Sequence, residues 1–291
     1  MSHEPNESHD HGLSHDLNTL AGPFARRRAL LWLAGATALP LFACGGGSDD
    51  DAGSTTTGST SGGSTGGTSG GSSSSGTCAV IPEETAGPYP GDGSNSNGSG
   101  VVNALALSGI VRSDIRTSFA GATGVAGGVP LIVNLRLVNT NNSCADLSGY
   151  AIYLWHCDRE GRYSMYSSGV TAENYLRGVQ ATDSAGEATF TTVFPGCYSG
   201  RMPHIHFEVY RTTASATSSV NKLRTSQLAF PDAVCDAVYA TTGYSASVSN
   251  YARITFATDN VFSDGVTLQV AEVSGSVDTG YIAALTVGIA A

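Results

Sequence analysis

The chain has 291 residues, 41% of them hydrophobic and 13% charged, with 37 Gly, 10 Pro and a formal net charge of −10. The acidic balance argues against a nucleic-acid-binding surface, and the low charge fraction against a coiled coil. No apolar run reaches the roughly 18 residues that a membrane span requires.

Residues 1–25 are polar and carry His3, His9, His11 and His15, a composition that reads as disorder rather than as a metal site. Arg26, Arg27 and Arg28 then precede an apolar run, Ala29 to Cys44, which is the layout of an export signal. Arg27-Arg28-Ala29-Leu30-Leu31 resembles a twin-arginine signal, a route that carries folded proteins. Leu41-Phe42-Ala43-Cys44 resembles a bacterial lipobox, in which the cysteine is lipidated; cleavage without lipid is the alternative. Residues 1–44 are therefore expected to direct export to the periplasm or cell surface, with membrane contact only through a lipid on Cys44. Residues 45–77 contain only Gly, Ser, Thr, Asp and one Ala, so they can bury no apolar area and read as a disordered linker.

Residues 78–291 form the expected folded domain. Strand-like runs fall at 101–112, 129–139, 150–157, 188–194, 204–211, 226–230, 252–257, 266–272 and 281–289, mostly separated by Gly, Asn, Asp, Ser or Pro. Short helices fit only 172–176 and 232–239. The pattern predicts an all-β fold, an antiparallel β-sandwich with few short helices. Among the cysteines, Cys78 with Cys144 and Cys197 with Cys235 are the expected pairs, although sequence does not fix connectivity.

His204-Ile205-His206 lies in an apolar strand, where a period of two puts both imidazoles on one face. Two adjacent buried imidazoles are satisfied by a shared metal. Glu208 is the only carboxylate on that face, so a site with two histidines and one carboxylate is hard to complete. All 12 tyrosines lie in this domain, and phenolate is a hard oxygen donor suited to a hard cation. His156, next to Trp155, reads as a structural histidine.

Four separated segments carry a resemblance: Thr85-Ala86-Gly87-Pro88-Tyr89; Trp155-His156 followed by Gly161-Arg162-Tyr163-Ser164; Pro195-Gly196-Cys197-Tyr198; and Arg201-Met202-Pro203-His204-Ile205-His206-Phe207. In this order they resemble the intradiol ring-cleavage dioxygenases of the protocatechuate 3,4-dioxygenase type, exported here. The resemblance implies a non-haem Fe(III) site with Tyr163, Tyr198, His204 and His206 as ligands and no organic cofactor. It implies catalytic roles for Arg201, Tyr198 and Gln227, and a substrate pocket bordered by Thr85, Pro88, Tyr89 and Trp155. The reaction implied is cleavage of an aromatic diol by O₂ between its hydroxylated carbons, giving a muconate-type diacid. The helical dimerisation segment of catechol 1,2-dioxygenases has no counterpart, and a homo-oligomer is an open possibility. Two rival readings are a non-catalytic surface-displayed β-sandwich and a cupin-like Fe(II) or Mn(II) enzyme.

Overall fold

The computed structural model describes residues 78–291; the export signal expected over 1–44 and the linker expected over 45–77 lie outside the described residues. In chain order the strands are β1 (Asp92–Ser96), β2 (Val101–Asn103), β3 (Pro130–Asn139), β4 (Ala145–Asp146), β5 (Ala151–Trp155), β6 (Arg177–Ala181), β7 (Glu187–Val193), β8 (His204–Tyr210), β9 (Lys222–Ala229), β10 (Glu272–Ser276) and β11 (Gly280–Ile289). Two short helices, α1 (Asp232–Tyr239) and α2 (Ser245–Tyr251), lie between β9 and β10.

β1 and β2 pair as a small ribbon; of the two larger sheets, one runs β10–β11–β3, with β4 and β7 both pairing to β3, and the other runs β6–β5–β8–β9. The two pack face to face as a sandwich. β3 alternates as its sequence predicts, sending Leu131, Val133, Leu135 and Leu137 inward to meet Ile152, Leu154, Ile205, Phe207 and Val209 of the second sheet. The strands pair antiparallel except β3 with β11, which are parallel. β3 and β11 lie far apart in the chain, so no tight turn constrains their direction.

The second sheet is buried on both faces. Tyr153, Trp155, Val179 and Tyr210 form a separate cluster on its outer face with Ala104, Leu105, Ile110 and Tyr163. The segment before β3 therefore serves as a cover. This explains why its apolar content was misleading: of the strand expected over 101–112 only Val101–Asn103 forms. Ala104 and Leu105 are buried in a short 3-10 turn (Ala104–Ala106) and Ile110 in the loop after it, not in a strand.

Other expectations also change. The run at 252–257 is a turn following α2, and 266–272 is mostly a turn that reaches β10 only at Glu272. Residues 172–176 form no helix; they lead into β6, whose Arg-Gly-Val-Gln-Ala sequence has no clear alternation of its own. α2 is rich in serine, a mediocre helix former, and one of its serines, Ser247, is held by the Cys197 N–H at 2.8 Å.

The Cys78–Cys144 disulfide forms as expected. The expected Cys197–Cys235 bridge does not; both are free and buried, as is Cys157. The Cys197 thiol instead turns to the Arg201 carbonyl at 3.3 Å.

Candidate active site

β8 divides its residues between two environments. Ile205, Phe207 and Val209 enter the sandwich core, while His204, His206, Glu208 and Tyr210 face the covered outer side. His204 Nε2 and His206 Nε2 approach to 3.1 Å, and the Tyr198 hydroxyl lies 3.2 Å from His204 Nε2. His204 Nδ1 lies 2.6 Å from the Met202 carbonyl. A carbonyl only accepts, so Nδ1 carries the proton and Nε2 presents a lone pair to the shared centre. Burial holds both imidazoles well below their usual range, hence neutral.

Trp155 faces His206 across the β5–β8 ladder and stacks on it, with centroids 4.9 Å apart and planes 3° from parallel. It was expected against the substrate. It is fully buried, with Tyr153 stacked beside it at 5.0 Å.

The two tyrosines arrive on loops packed backbone to backbone. After β5, the buried Asp158 carboxylate accepts from the N–H groups of Glu160 and Arg162, and from the Tyr175 hydroxyl at 3.0 Å. This folds residues 158–162 into a turn that delivers Tyr163. Gly161 has φ +82°, and a Cβ there would lie 3.2 Å from Tyr198 Cβ. At Gly196 a Cβ would meet the Asp158 and Arg159 carbonyls and the Gly161 N at 2.7–2.8 Å. Glycine at both positions lets the Tyr163 and Tyr198 loops close on each other.

The Tyr163 and Tyr198 rings are 5.9 Å apart, and Tyr163 is 6.2 Å from His206. The Tyr163 hydroxyl is buried without a hydrogen bond of ordinary geometry. Burial pushes it well above the usual phenol range, with Tyr198 adding to the effect. A buried phenol this poorly satisfied is costly, and a cation at the shared centre would satisfy it. Tyr166 is committed elsewhere: its hydroxyl accepts from the Gly91 N–H at 2.9 Å. The structure thus brings Tyr163, Tyr198, His204 and His206 together and leaves Tyr166 apart. Among the described residues no group of three or more His, Cys, Asp or Glu could hold a metal, so any cation here depends on the phenols. Two neutral imidazoles and two phenols suit a hard, highly charged ion.

Glu208 is turned away from the histidines. Its carboxylate accepts from Tyr210 at 2.6 Å and from Lys222 at 3.3 Å. His156 bonds Thr192 at 2.7 Å and the Cys157 carbonyl at 2.8 Å, as a structural histidine does.

Arg201 is buried beside this set. Its Nε donates to Asp259 at 3.0 and 3.2 Å, and its Nη2 to Gln227 Oε1 at 2.7 Å. Gln227, opposite His206 on β9, donates in turn to the Thr85 carbonyl at 2.9 Å. Asp259 is itself fixed by the N–H groups of Met202, Val261 and Phe262. Sequence reading missed Asp259, because it lies 58 residues from its partner.

It also missed Arg177. This buried guanidinium donates to the carbonyls of Tyr89, Pro90 and Ser164 and to the hydroxyls of Tyr153 and Ser164. It thereby ties the 85–91 loop to the Tyr163 loop. That tie brings Tyr89 to 5.1 Å from the Tyr163 ring and sets Gly87, with φ +66°, against His206. Tyr89 and Gly87 therefore border the same centre, the Thr85 carbonyl is tied to it through Gln227, and Pro88 lines the neighbouring cleft.

Glu84, beside Thr85, is pushed up to about 7, mainly by burial and secondarily by Asp264. An unfolded glutamate ionises near 4.5. Folding therefore takes up a proton between those values, and stability falls as pH rises through that window. Glu84→Gln should match the parent Tm at pH 4 and exceed it at pH 8. Equal Tm values at both pH values would show that Glu84 is not held protonated.

A family model described as Dioxygenase matches residues 113–261, just over half of the chain. An intradiol ring-cleavage dioxygenase from Tetranychus urticae is similar at 25% identity and TM-score 0.56, covering 73% of this chain and 95% of its own. A second dioxygenase structure aligns at 24% identity and TM-score 0.56, covering 73% and 94%. The dioxygenase domain of a dioxygenase carbohydrate-binding fusion from Streptomyces sp. SirexAA-E aligns at 21% identity and TM-score 0.45, covering 72% and 98%. No curated protein matches. With its sandwich fold, the matched segment places this chain in the intradiol ring-cleavage dioxygenase family.

Proposed function

We propose that the domain is an Fe(III)-dependent intradiol dioxygenase acting on a catechol-type diol. The observation that carries this reading is the convergence of His204 Nε2, His206 Nε2 and the Tyr198 hydroxyl within 3.1–3.2 Å contacts, beside the orphaned Tyr163 hydroxyl. Tyr163, Tyr198, His204 and His206 would hold the ion, which when bound supplies Lewis acidity and activates the diol ring toward O₂.

The protein's own part follows from its side chains. The two imidazoles enter neutral, so the anionic charge of the site comes from the two phenols. Tyr198, less buried than Tyr163, is positioned to take a phenolic proton from the incoming diol at its hydroxyl oxygen. Arg201 keeps its charge throughout and stabilises the negative charge that develops on the ring during attack on O₂. Gln227 and Asp259 fix its plane, so little reorganisation is needed at the moment of reaction. Trp155, stacked on His206, keeps that imidazole from rotating away.

The leader supports an exported enzyme, the motif at Arg27-Arg28 and Cys44 being the sequence basis. The chain should be red-brown when purified, from phenolate-to-metal charge transfer, and catechol added under nitrogen should shift the band to longer wavelength. Admitting air should then consume O₂ and diol in equal amounts. A colourless protein with iron bound would exclude phenolate ligation, and one that takes up no metal would leave a binding module.

A further inference from the structure

Beside the ligand set, a cleft of about 570 Å³ opens between the 88–98 and 166–171 segments. That volume is within the range of pockets that hold drug-sized ligands, roughly 300–1,000 Å³, and exceeds what one diol ring needs. Tyr89 stands between the cleft and the centre: its ring lies 5.1 Å from Tyr163 on one side and 5.3 Å from Tyr166 on the other. A substituent on a diol bound at Tyr163 would leave across Tyr89 into this cleft.

None of the described residues lining the cleft is charged. Its chemistry is aromatic at the inner end, with Tyr89 and Tyr166, and hydroxyl or amide beyond, with Asn97, Ser167, Ser168 and Thr171. The Ser167 hydroxyl accepts from the Tyr163 N–H at 2.9 Å and keeps its own proton to donate. Ser168 and Thr171 are exposed at the rim. Arg162, which comes up beside Gly169, is held by Asp158 and Glu160. A carboxylate entering here would give up hydration for a cation already shared by two carboxylates. A second ring bearing hydroxyls would stack on tyrosine and exchange water for hydroxyl and amide partners.

Building on the dioxygenase reading, we infer that the cleft binds the ring extension of an uncharged substrate, a catechol joined to a second, hydroxylated ring. This selects against diols carrying a carboxylate.

The test is calorimetric titration of the purified, metal-loaded full chain under nitrogen, where no turnover occurs, with catechin, catechol and 3,4-dihydroxybenzoate. Catechin should bind about tenfold or more tighter than catechol, and 3,4-dihydroxybenzoate no tighter than catechol. Ser168→Trp, at an exposed position, should fill the rim and cut the catechin-to-catechol affinity ratio about tenfold; Thr171→Trp gives the independent check. Equal affinities, a preference for the carboxylate, or a ratio that neither substitution changes would overturn the assignment. Air then separates the two readings. If the binding order holds but no diol is consumed, the cleft assignment stands and the oxygenase reading falls. If catechol is consumed but catechin neither binds nor reacts, the reverse is true.

Discussion

Arg201→Ala should slow turnover of catechol by on the order of 10²-fold or more while leaving the visible colour of the purified protein in place. The guanidinium donates to Asp259 and Gln227, so its loss should spare the ligand set. What is lost is a permanent charge in a water-poor site, where electrostatic stabilisation of a developing anion is strongest. The defect should therefore appear in kcat more than in the affinity for catechol measured under nitrogen. A rate within a few-fold of the parent would remove Arg201 from the chemistry. Loss of colour would mean that the substitution had disturbed the phenolates.

Asp259 complicates the same variant. Removing Arg201 leaves a buried carboxylate that keeps only its bonds from Met202, Val261 and Phe262. Breaking one side of a buried ion pair costs about 3–5 kcal/mol where the remaining charge is uncompensated, and the three N–H donors offset part of this. Turnover should accordingly be compared at a temperature where both proteins are folded.

The contrast between Arg201 and Asp259 shows what was readable before the fold was known. Arg201 sits three residues before His204, inside a short motif, and its place could be read locally. Asp259 has no motif; it meets Arg201 only because the segment after α2 folds back over β8. Arg177 is the same case, 87 residues from the Pro90 carbonyl it holds. Buried cations that tie loops together leave no period or spacing in the chain. The strands divide in a similar way. β3 alternates because one of its faces is core and the other is not, and such a pattern survives in sequence. β5 and β8 are buried throughout, and only the chemistry of His204 and His206 marked which face of β8 was special. The apolar residues at 104–110 cover that face as a 3-10 turn and loop, and local propensity could not separate this from a strand. The free Cys197 has the same origin: its thiol is used by a local carbonyl contact, which spacing between cysteines cannot reveal.

Tyr163→Phe should abolish most of the visible band and weaken metal retention, whereas Tyr166→Phe should leave both nearly unchanged. The two residues are three apart and sit on the same loop, so overall disruption of that loop cannot account for a difference between them. They differ in what their hydroxyls do. That of Tyr166 accepts from the Gly91 backbone, a hydrogen bond worth roughly 1 kcal/mol net. That of Tyr163 is buried without such a bond and is held strongly toward the neutral phenol by its surroundings. A cation at the shared centre would offset that desolvation. Removing the hydroxyl should therefore cost the metal-free protein nothing, or even stabilise it, while costing the metal-loaded protein a ligand. The diagnostic is the change in Tm on adding iron: large for the parent and for Tyr166→Phe, small for Tyr163→Phe. If Tyr166→Phe bleached the protein and Tyr163→Phe did not, the ligand would be reassigned to the Gly91-bound tyrosine. If neither did, the colour would rest on Tyr198 alone.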